Sequence, residues 1–436
     1  MTQLVHSERS HNTKSRRFIR FEALHLSEAK VESSLAQQAD RRNPTKSRAA
    51  LKFVILIGVL SFFADFTYEG SRSILGPFLA SLGATATVVG IVTGFGELLG
   101  YGLRVVSGRW ADMSGKPWPI TIVGYTVQMS AVPALALVHS WRWAAVLIVL
   151  ERVGKAIRNP PRDVMLSSAA NDIGGYGWAF GIHEALDQFG AMVGPLLVAL
   201  VLALKGSYQI AFAVLLAPAM VNIALVLVAR SLYPVPLAMQ PPPDDESRKV
   251  LPREYWVYLG GASLVAAGFA DYPLIAYHLS TSSHVSSDVI AALYASAMAV
   301  SGAGALVFGR LFDRYGFRII VSLTLLSTMF APLLFLGSNY VWWVGGLVWG
   351  IGMGFHESII PAAVSPMAPP SGRASAFGIF TAGYGIAWFA GSAVIGLLYD
   401  ASKTYAVVFC VGSQLLALPF FLWVGAIRSR QGDSHV

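Results

Sequence analysis

The turn Gly108-Arg-Trp-Ala-Asp112-Met-Ser-Gly115-Lys116 recurs 201 residues later (309 − 108) as Gly309-Arg-Leu-Phe-Asp313-Arg-Tyr-Gly316-Phe-Arg318. Each copy joins two long apolar stretches and combines an acid, glycines and flanking cations. Charged turns of this kind lie at the water-side ends of membrane spans. The repeat therefore predicts a membrane protein built by internal duplication, with both turns as hinge candidates.

The chain is far more apolar than a soluble protein. Hydrophobic residues form 55% of its 436 residues and charged residues only 13%, whereas soluble proteins carry about 25% charged residues. Continuously apolar runs such as 144–150 favour helices over barrel strands. The predicted fold is all-α, with twelve transmembrane helices of about 20 residues in two six-helix bundles. The expected spans are 51–79, 86–106, 118–138, 141–158, 177–203, 208–230, 254–279, 286–308, 318–337, 340–360, 374–398 and 403–427.

Composition also divides the chain. Residues 1–50 are polar and basic on balance and predict a cytoplasmic tail, while 231–253 are rich in proline and charge and predict an extended linker. The two bundles are then 51–230 and 254–427, and a second cytoplasmic tail covers 428–436.

Loop cations set the orientation, because Lys and Arg concentrate on the cytoplasmic side of a membrane. With the N-terminus inside, the opposite side carries only Arg142, Lys205 and Lys403. Both termini are then cytoplasmic, in a multi-pass protein of the inner (plasma) membrane. The net charge of +8 follows from this topology and does not indicate nucleic-acid binding. The cytoplasmic cations are Arg109, Lys116, Arg158, Arg162, Arg230, Arg248, Lys249, Arg253, Arg310, Arg314, Arg318 and Arg373.

Two further sequence pairs support the duplication. Phe63-Ala-Asp65-Phe matches Phe269-Ala-Asp271-Tyr, an offset of 206 residues (271 − 65). Ala179-Phe-Gly-Ile182 matches Ala376-Phe-Gly-Ile379, an offset of 197 (376 − 179). Each pair lies in corresponding spans of the two halves.

Acids within spans one and seven are candidates for proton coupling, since a charge inside a bilayer is costly and normally faces a functional cavity. Asp65, Glu69 and Arg72 share one helix face. The two acids repel when both are ionised, which favours protonation of one of them unless a cation neutralises it. Asp271 has no cation within a turn of its own span, so we expect reversible protonation there. A fixed pair with a cation from another helix is the alternative.

Span four carries acids and cations on one face. Glu151 is deep enough to take part in proton coupling, and Arg152 to reach a central cavity. A permanently charged guanidinium there can bind an anionic group or control a nearby acid. We expect Arg158 and Arg162 at the cytoplasmic mouth, as charges that set the topology.

Spans five, ten and eleven supply the remaining candidates for the substrate cavity. Neither of the two His-Glu pairs continues into the zinc-protease pattern His-Glu-x-x-His, because position 187 is Asp and position 360 is Ile. No resident metal or cofactor is expected. A transported metal ion bound by His183, Asp187, His356 and Glu357 stays an alternative. The candidates are His183, Glu184, Asp187, His356, Glu357 and Trp388.

These features resemble the major facilitator superfamily of secondary transporters, over about residues 51–430. The resemblance rests on the two turns, on Gly190-x-x-x-Gly194-Pro195 in span five and on two halves joined by a linker. The glycine–proline element is similar to that of proton-driven drug exporters. The resemblance implies alternating access around a central cavity and a cytoplasmic latch. The gating residues that it suggests are Gly108, Arg109, Asp112, Gly115, Lys116, Gly309, Asp313, Arg314, Gly316, Gly190, Gly194 and Pro195.

We therefore expect a proton-coupled antiporter that exports a small organic molecule, in which Asp65, Glu69 and Asp271 exchange protons for substrate. The first alternative is a proton symporter that imports an organic anion, with Arg72 and Arg152 as ligands. A sensor or scaffold without transport is a lesser alternative. No catalytic constellation predicts an enzyme. The expected partners are a small-molecule substrate, protons and membrane lipid, with a monomeric protein and no nucleic acid.

Overall fold

The computed structural model describes residues 44–114, 116–170, 173, 176–234, 251–338, 340–364, 367 and 373–432. These residues are almost entirely helical, and each predicted span is a helix or a pair of helices. The helices are α1 (Pro44–Arg72), α2 (Leu75–Ser81), α3 (Ala86–Ser114), α4 (Pro117–Ala134), α5 (Trp141–Ala170), α6 (Tyr176–Ala203), α7 (Tyr208–Val214), α8 (Leu216–Leu232), α9 (Arg253–Ala267), α10 (Tyr272–Thr281), α11 (Ser287–Tyr315), α12 (Phe317–Thr328), α13 (Phe330–Phe335), α14 (Val341–Ala362), α15 (Arg373–Ala401) and α16 (Lys403–Gly432).

Ten segments of the described chain are long and apolar enough to cross a membrane. The two other predicted spans are α5 and α14. Helix α5 lacks the required hydropathy because ionised side chains occur along its length, and several of them are buried. Such a helix is stable inside a membrane protein only when other helices supply partners for those charges.

Several helices are longer than the predicted spans. Helix α1 begins at Pro44 instead of 51, and a proline is well placed in the first turn of a helix. Helix α5 continues to Ala170, past the predicted end at 158. Helix α16 continues to Gly432, past 427. The length of an apolar stretch reflects only the thickness of the bilayer core. It therefore does not predict helical turns that continue beyond the core.

Spans one and seven are interrupted near their middles. Span one breaks between α1 and α2, and span seven breaks between α9 and α10. Asp271 occupies the position before α10 with extended backbone angles (φ −65°, ψ 144°), and Pro273 lies in the first turn. Because a proline cannot continue a helix through this point, the chain places Asp271 at a helix break in the middle of the bundle.

Within the N-terminal half, α1 packs closely against α6. A methyl group added at Gly190 would lie 2.3 Å from the Phe62 carbonyl oxygen, and one at Gly194 would lie 2.1 Å from the Phe66 carbonyl oxygen. The Gly-x-x-x-Gly spacing therefore permits the close helix contact expected from the sequence.

The two halves meet along α2–α10, α3–α15 and α6–α11. Asp400, at the end of α15, accepts hydrogen bonds from the backbone N–H groups of Ala86 (3.1 Å) and Thr87 (2.9 Å), and its Oδ2 lies 2.6 Å from the Thr87 hydroxyl. It thus caps the N-terminus of α3 from the other half. These contacts lie at the end of the bundle opposite the repeated turns, and we name it the closed end.

A backbone contact also seals the closed end. A methyl group at Gly76 in α2 would lie 2.0 Å from the Pro273 carbonyl oxygen in α10. The Tyr208 and Ser287 hydroxyls of the two halves lie 2.6 Å apart. The two halves are therefore in contact at the closed end.

Candidate transport site

A chain of alternating charges crosses the middle of the molecule. Arg72 of α1 donates to Asp271 (2.8 Å) and to Glu97 of α3 (3.4 Å), and Arg152 of α5 binds Glu97 (2.8 Å) and Glu151 (3.5 Å). Arg72 and Asp271 belong to different halves and are 3% and 1% exposed. This buried ion pair therefore joins the two halves at the helix break.

Glu69 forms a second link between the halves. The Tyr294 hydroxyl of α11 donates to Glu69 at 2.5 Å, and Arg72 lies 4.0 Å from the same carboxylate. Tyr68 accepts a hydrogen bond from Arg72 (3.2 Å), and Lys155 lies over its ring at 4.0 Å. The aromatic ring thus separates and orients the cations of α1 and α5.

A second buried cluster surrounds Asp65, nearer the turn end. Asp65 lies 3.4 Å from Arg158 and 3.8 Å from Lys155. Arg158 also donates to Gln128 of α4 (2.6 Å), whose amide donates to Glu151 (2.8 Å). Gln128 therefore connects the Asp65 cluster to Glu151 and through it to the charge chain.

The expectation that Arg158 and Arg162 lie at the cytoplasmic mouth was wrong. Arg158 is fully buried, because Asp65, Gln128 and Tyr125 together satisfy its guanidinium. Arg162 is also buried and donates to Asp163 and Ser61. Asp271 has a close cation, Arg72, supplied by the other half; this is the pairing given above as the alternative, and reversible protonation of Asp271 stays a prediction.

Aromatic residues surround the buried His356 in the C-terminal half. The His356 ring lies 4.2 Å from the Phe269 ring between centroids, at an interplanar angle of 38°, and 5.3 Å from the Trp388 ring, and its Nδ1 is hydrogen-bonded to the Tyr384 hydroxyl. His356 Nε2, Trp388 Nε1 and Asp271 Oδ2 are buried polar atoms without a partner among the described residues. Such atoms are rare in folded proteins and indicate groups that a ligand or water completes.

Helices α6 and α14 carry further acids of the candidate site. Glu184 and Glu357 are solvent-exposed, and each lies within the electrostatic range of the other. His183, Glu184 and Asp187 bring ligand atoms within 4.8 Å of one another. In the part of the chain that the structure describes, His356 and Glu357 do not join this group, and the Ser61 hydroxyl lies 2.7 Å from His183 Nε2. The four-residue metal site considered above is therefore not assembled.

The sequence analysis missed Glu97, Tyr68, Tyr294 and Gln128. Glu97 was detectable, since it is an acid within an apolar span and bridges two arginines of the site. The hydroxyl and amide partners were not, because such residues occur in membrane helices without any functional role.

The structure describes some of the predicted gating residues and not others. Arg109, Lys116 and Arg314 are exposed. Gly316 has a positive φ of 57°, which favours glycine at the turn between α11 and α12. Gly108 lies against Pro160, and Gly309 has open space around it, as far as the described neighbours extend. Gly115 and the side chains of Asp112 and Asp313 lie outside the described residues, so their gating role stays a prediction.

The family model of the Major Facilitator Superfamily matches residues 57–271 and, in a second match, 257–434. The chain belongs to the major facilitator superfamily. The first match covers the N-terminal half and extends into span seven, and the second covers the C-terminal half. The same family model therefore matches both halves, in agreement with the duplication seen in the repeated turns. Its twelve-helix membrane fold and its role as a transporter follow from this membership.

Two relatives and one solved structure show different degrees of similarity to the chain. An uncharacterised protein of Mycobacterium tuberculosis is 40% identical over 377 residues, 85% of this chain and 92% of its own length. The fosmidomycin resistance protein of Escherichia coli is 26% identical over 173 residues, 40% of this chain and 42% of its own length. The crystal structure of a mutant of the nucleoside transporter NupG superposes with a TM-score of 0.71 at 14% identity, over 85% of this chain and 99% of its own. This last likeness concerns the fold alone.

Proposed function

We propose that the protein is a proton-coupled exporter of a small organic molecule, in which Asp65, Glu69, Glu151 and Asp271 carry the protons. The observation that carries the proposal is the buried Arg72–Asp271 pair between the halves. Protonation of Asp271 removes the charge that attracts Arg72, so the halves can separate at this level. Loss of the proton restores the attraction.

The pair links proton binding to the direction in which the cavity opens. Opening the closed end requires α1 and α2 to move away from α9 and α10, and this movement separates Arg72 from Asp271. A buried ion pair is costly to break while both partners are charged. The charge state of Asp271 therefore influences which end of the cavity is open, and the ionised Arg72–Asp271 pair favours the state described here. The fosmidomycin resistance protein supports export as the direction.

Charges in the cavity support a substrate that is neutral or positively charged. Arg72 and Arg152 already bind carboxylates, so an imported anion would have to displace Asp271 or Glu97. Glu184 and Glu357 are exposed, and neither forms an ion pair with a described cation. These observations argue against an organic anion as the substrate.

A substrate found by thermal stabilisation of the purified protein provides the test. We expect inside-out vesicles with an imposed proton gradient to accumulate this substrate, and wild-type protein to release protons when it binds. Asp271→Asn and Asp65→Asn should each reduce gradient-driven uptake at least about tenfold, since one proton carrier is lost. Asp288→Asn, at the closed end, is the matched control. Unchanged proton release in both variants would refute the coupling assignment.

A further inference from the structure

A cavity of about 610 Å³ lies outside the transport site, between the ends of α11, α12 and α16. It includes Gly316 of the second repeated turn and Phe421 and Gly425 of α16. Phe317 forms part of its wall and is fixed by ring contacts with Tyr258 (5.8 Å) and Phe312 (6.3 Å). The cavity is therefore bounded by well-packed helix ends.

The cavity combines cations with apolar surface. Arg318, in the first turn of α12, is exposed and lines it. Arg428 of α16 also lines it and lies 3.3 Å from Glu254. Arg253 lies 5.4 Å from the Trp423 ring, which adds a third cation near the same end of α16. The positive charges thus collect where the helices leave the membrane core.

Apolar side chains continue from this cavity toward the membrane core. Leu422 lines the cavity and is exposed. Farther from the turn, Leu325 and Leu326 of α12 and Met329, directly after it, are also exposed. In a membrane protein such exposed apolar side chains face lipid tails. The surface therefore presents cations at its water-side end and an apolar strip below them.

We propose that this cavity binds an anionic phospholipid. The headgroup phosphate pairs with Arg318, with Arg428 beside it, and an acyl chain lies along Leu422 and the exposed face of α12. Charge complementarity selects an anionic headgroup, and the apolar strip selects a lipid over a free anion. This site is independent of the transported substrate. Because Gly316 belongs to its wall, the lipid contacts the turn predicted to act as a hinge.

Binding is measured by native mass spectrometry of the full chain, with phosphatidylglycerol or phosphatidylcholine added to the detergent-solubilised protein. We expect phosphatidylglycerol to bind more tightly than phosphatidylcholine. Arg318→Gln should weaken phosphatidylglycerol binding about fivefold, the effect of one cation near a headgroup. Arg310→Gln is the matched control, since Arg310 is exposed near the same turn but does not line the cavity.

Ser322→Trp tests the cavity itself. Ser322 lines the cavity and is exposed, so the new side chain fills the space without changing the charge. We expect weaker phosphatidylglycerol binding and an unchanged melting temperature. The proposal is overturned if Arg318→Gln and Arg310→Gln weaken binding equally, if Ser322→Trp has no effect, or if inorganic phosphate displaces the lipid at equal concentration.

Discussion

Arg158 has no exposed surface and contacts Asp65, Gln128 and Tyr125. Its guanidinium also lies 4.5 Å from the Tyr125 ring. Without Arg158, Asp65 keeps only Lys155 at 3.8 Å, and Gln128 and Tyr125 lose their buried donor. Removing one member of a buried ion pair costs about 3–5 kcal/mol. We therefore expect Arg158→Met to lower the melting temperature of the purified protein strongly.

A double variant separates pairing from packing. In Asp65→Asn/Arg158→Met both charges are absent, so we expect a smaller loss of stability than the two single variants give together. Arg310→Met, at an exposed position, should melt like the wild type. Additive losses would mean that Arg158 stabilises the protein through packing alone.

At the residue scale the sequence reveals which charges are buried but not how they pair. The acids Asp65, Glu69, Glu151 and Asp271 were recognisable because charge within an apolar span is costly. The partner of Asp271 lies 199 positions away, in the other half. No periodicity within one helix encodes such a contact, because it depends on how the halves pack.

Among the helices, the contact between α1 and α6 depends on glycine. Gly194→Ala would place a methyl group 2.1 Å from the Phe66 carbonyl oxygen, and overpacking of this kind costs about 1–3 kcal/mol. Gly181, on the same helix, has no described atom within 4 Å of an added methyl group. We expect Gly194→Ala to lower the melting temperature and Gly181→Ala to preserve or raise it. Equal melting temperatures would exclude a packing role for Gly194.

Helix boundaries and breaks were less predictable than helix existence. Each of the twelve spans predicted from apolar stretches is a helix or a pair of helices. The breaks in spans one and seven were not expected. Gly268 and Pro273 indicate a helix break at 268–273. They lie within one continuous apolar run, and this run predicted a single unbroken span. A hydropathy scale measures the free energy of transferring a side chain from water to lipid. It contains no information about backbone geometry.

For the whole molecule, the Asp400 contact offers a way to hold the closed end shut. Thr87→Cys/Asp400→Cys in a Cys410→Ala background places two thiols at positions whose native side chains contact each other across the halves. A disulfide requires Cβ atoms about 3.5–4.5 Å apart, so the cross-linked fraction is measured before transport is assayed. We expect oxidation to abolish transport, because alternating access requires this end to open, while substrate binding from the turn end persists.

Reduction of the same sample should restore transport. The single variants Thr87→Cys and Asp400→Cys control for loss of the native contact and for oxidation elsewhere. Undiminished transport by the fully cross-linked protein would contradict alternating access at this end. This experiment concerns the movement of the halves and does not depend on which acid carries the proton.

The contact of Gly76 with Pro273 has an electrical consequence. Titratable side chains in the middle of a membrane protein discharge the cell's electrochemical gradient if water reaches them from both compartments at once. Here two main chains touch, and the surrounding Leu75, Phe78, Leu274 and Leu279 are buried. We therefore expect the glycine at position 76, which lets the two main chains touch, to limit the leakage current through this end of the molecule.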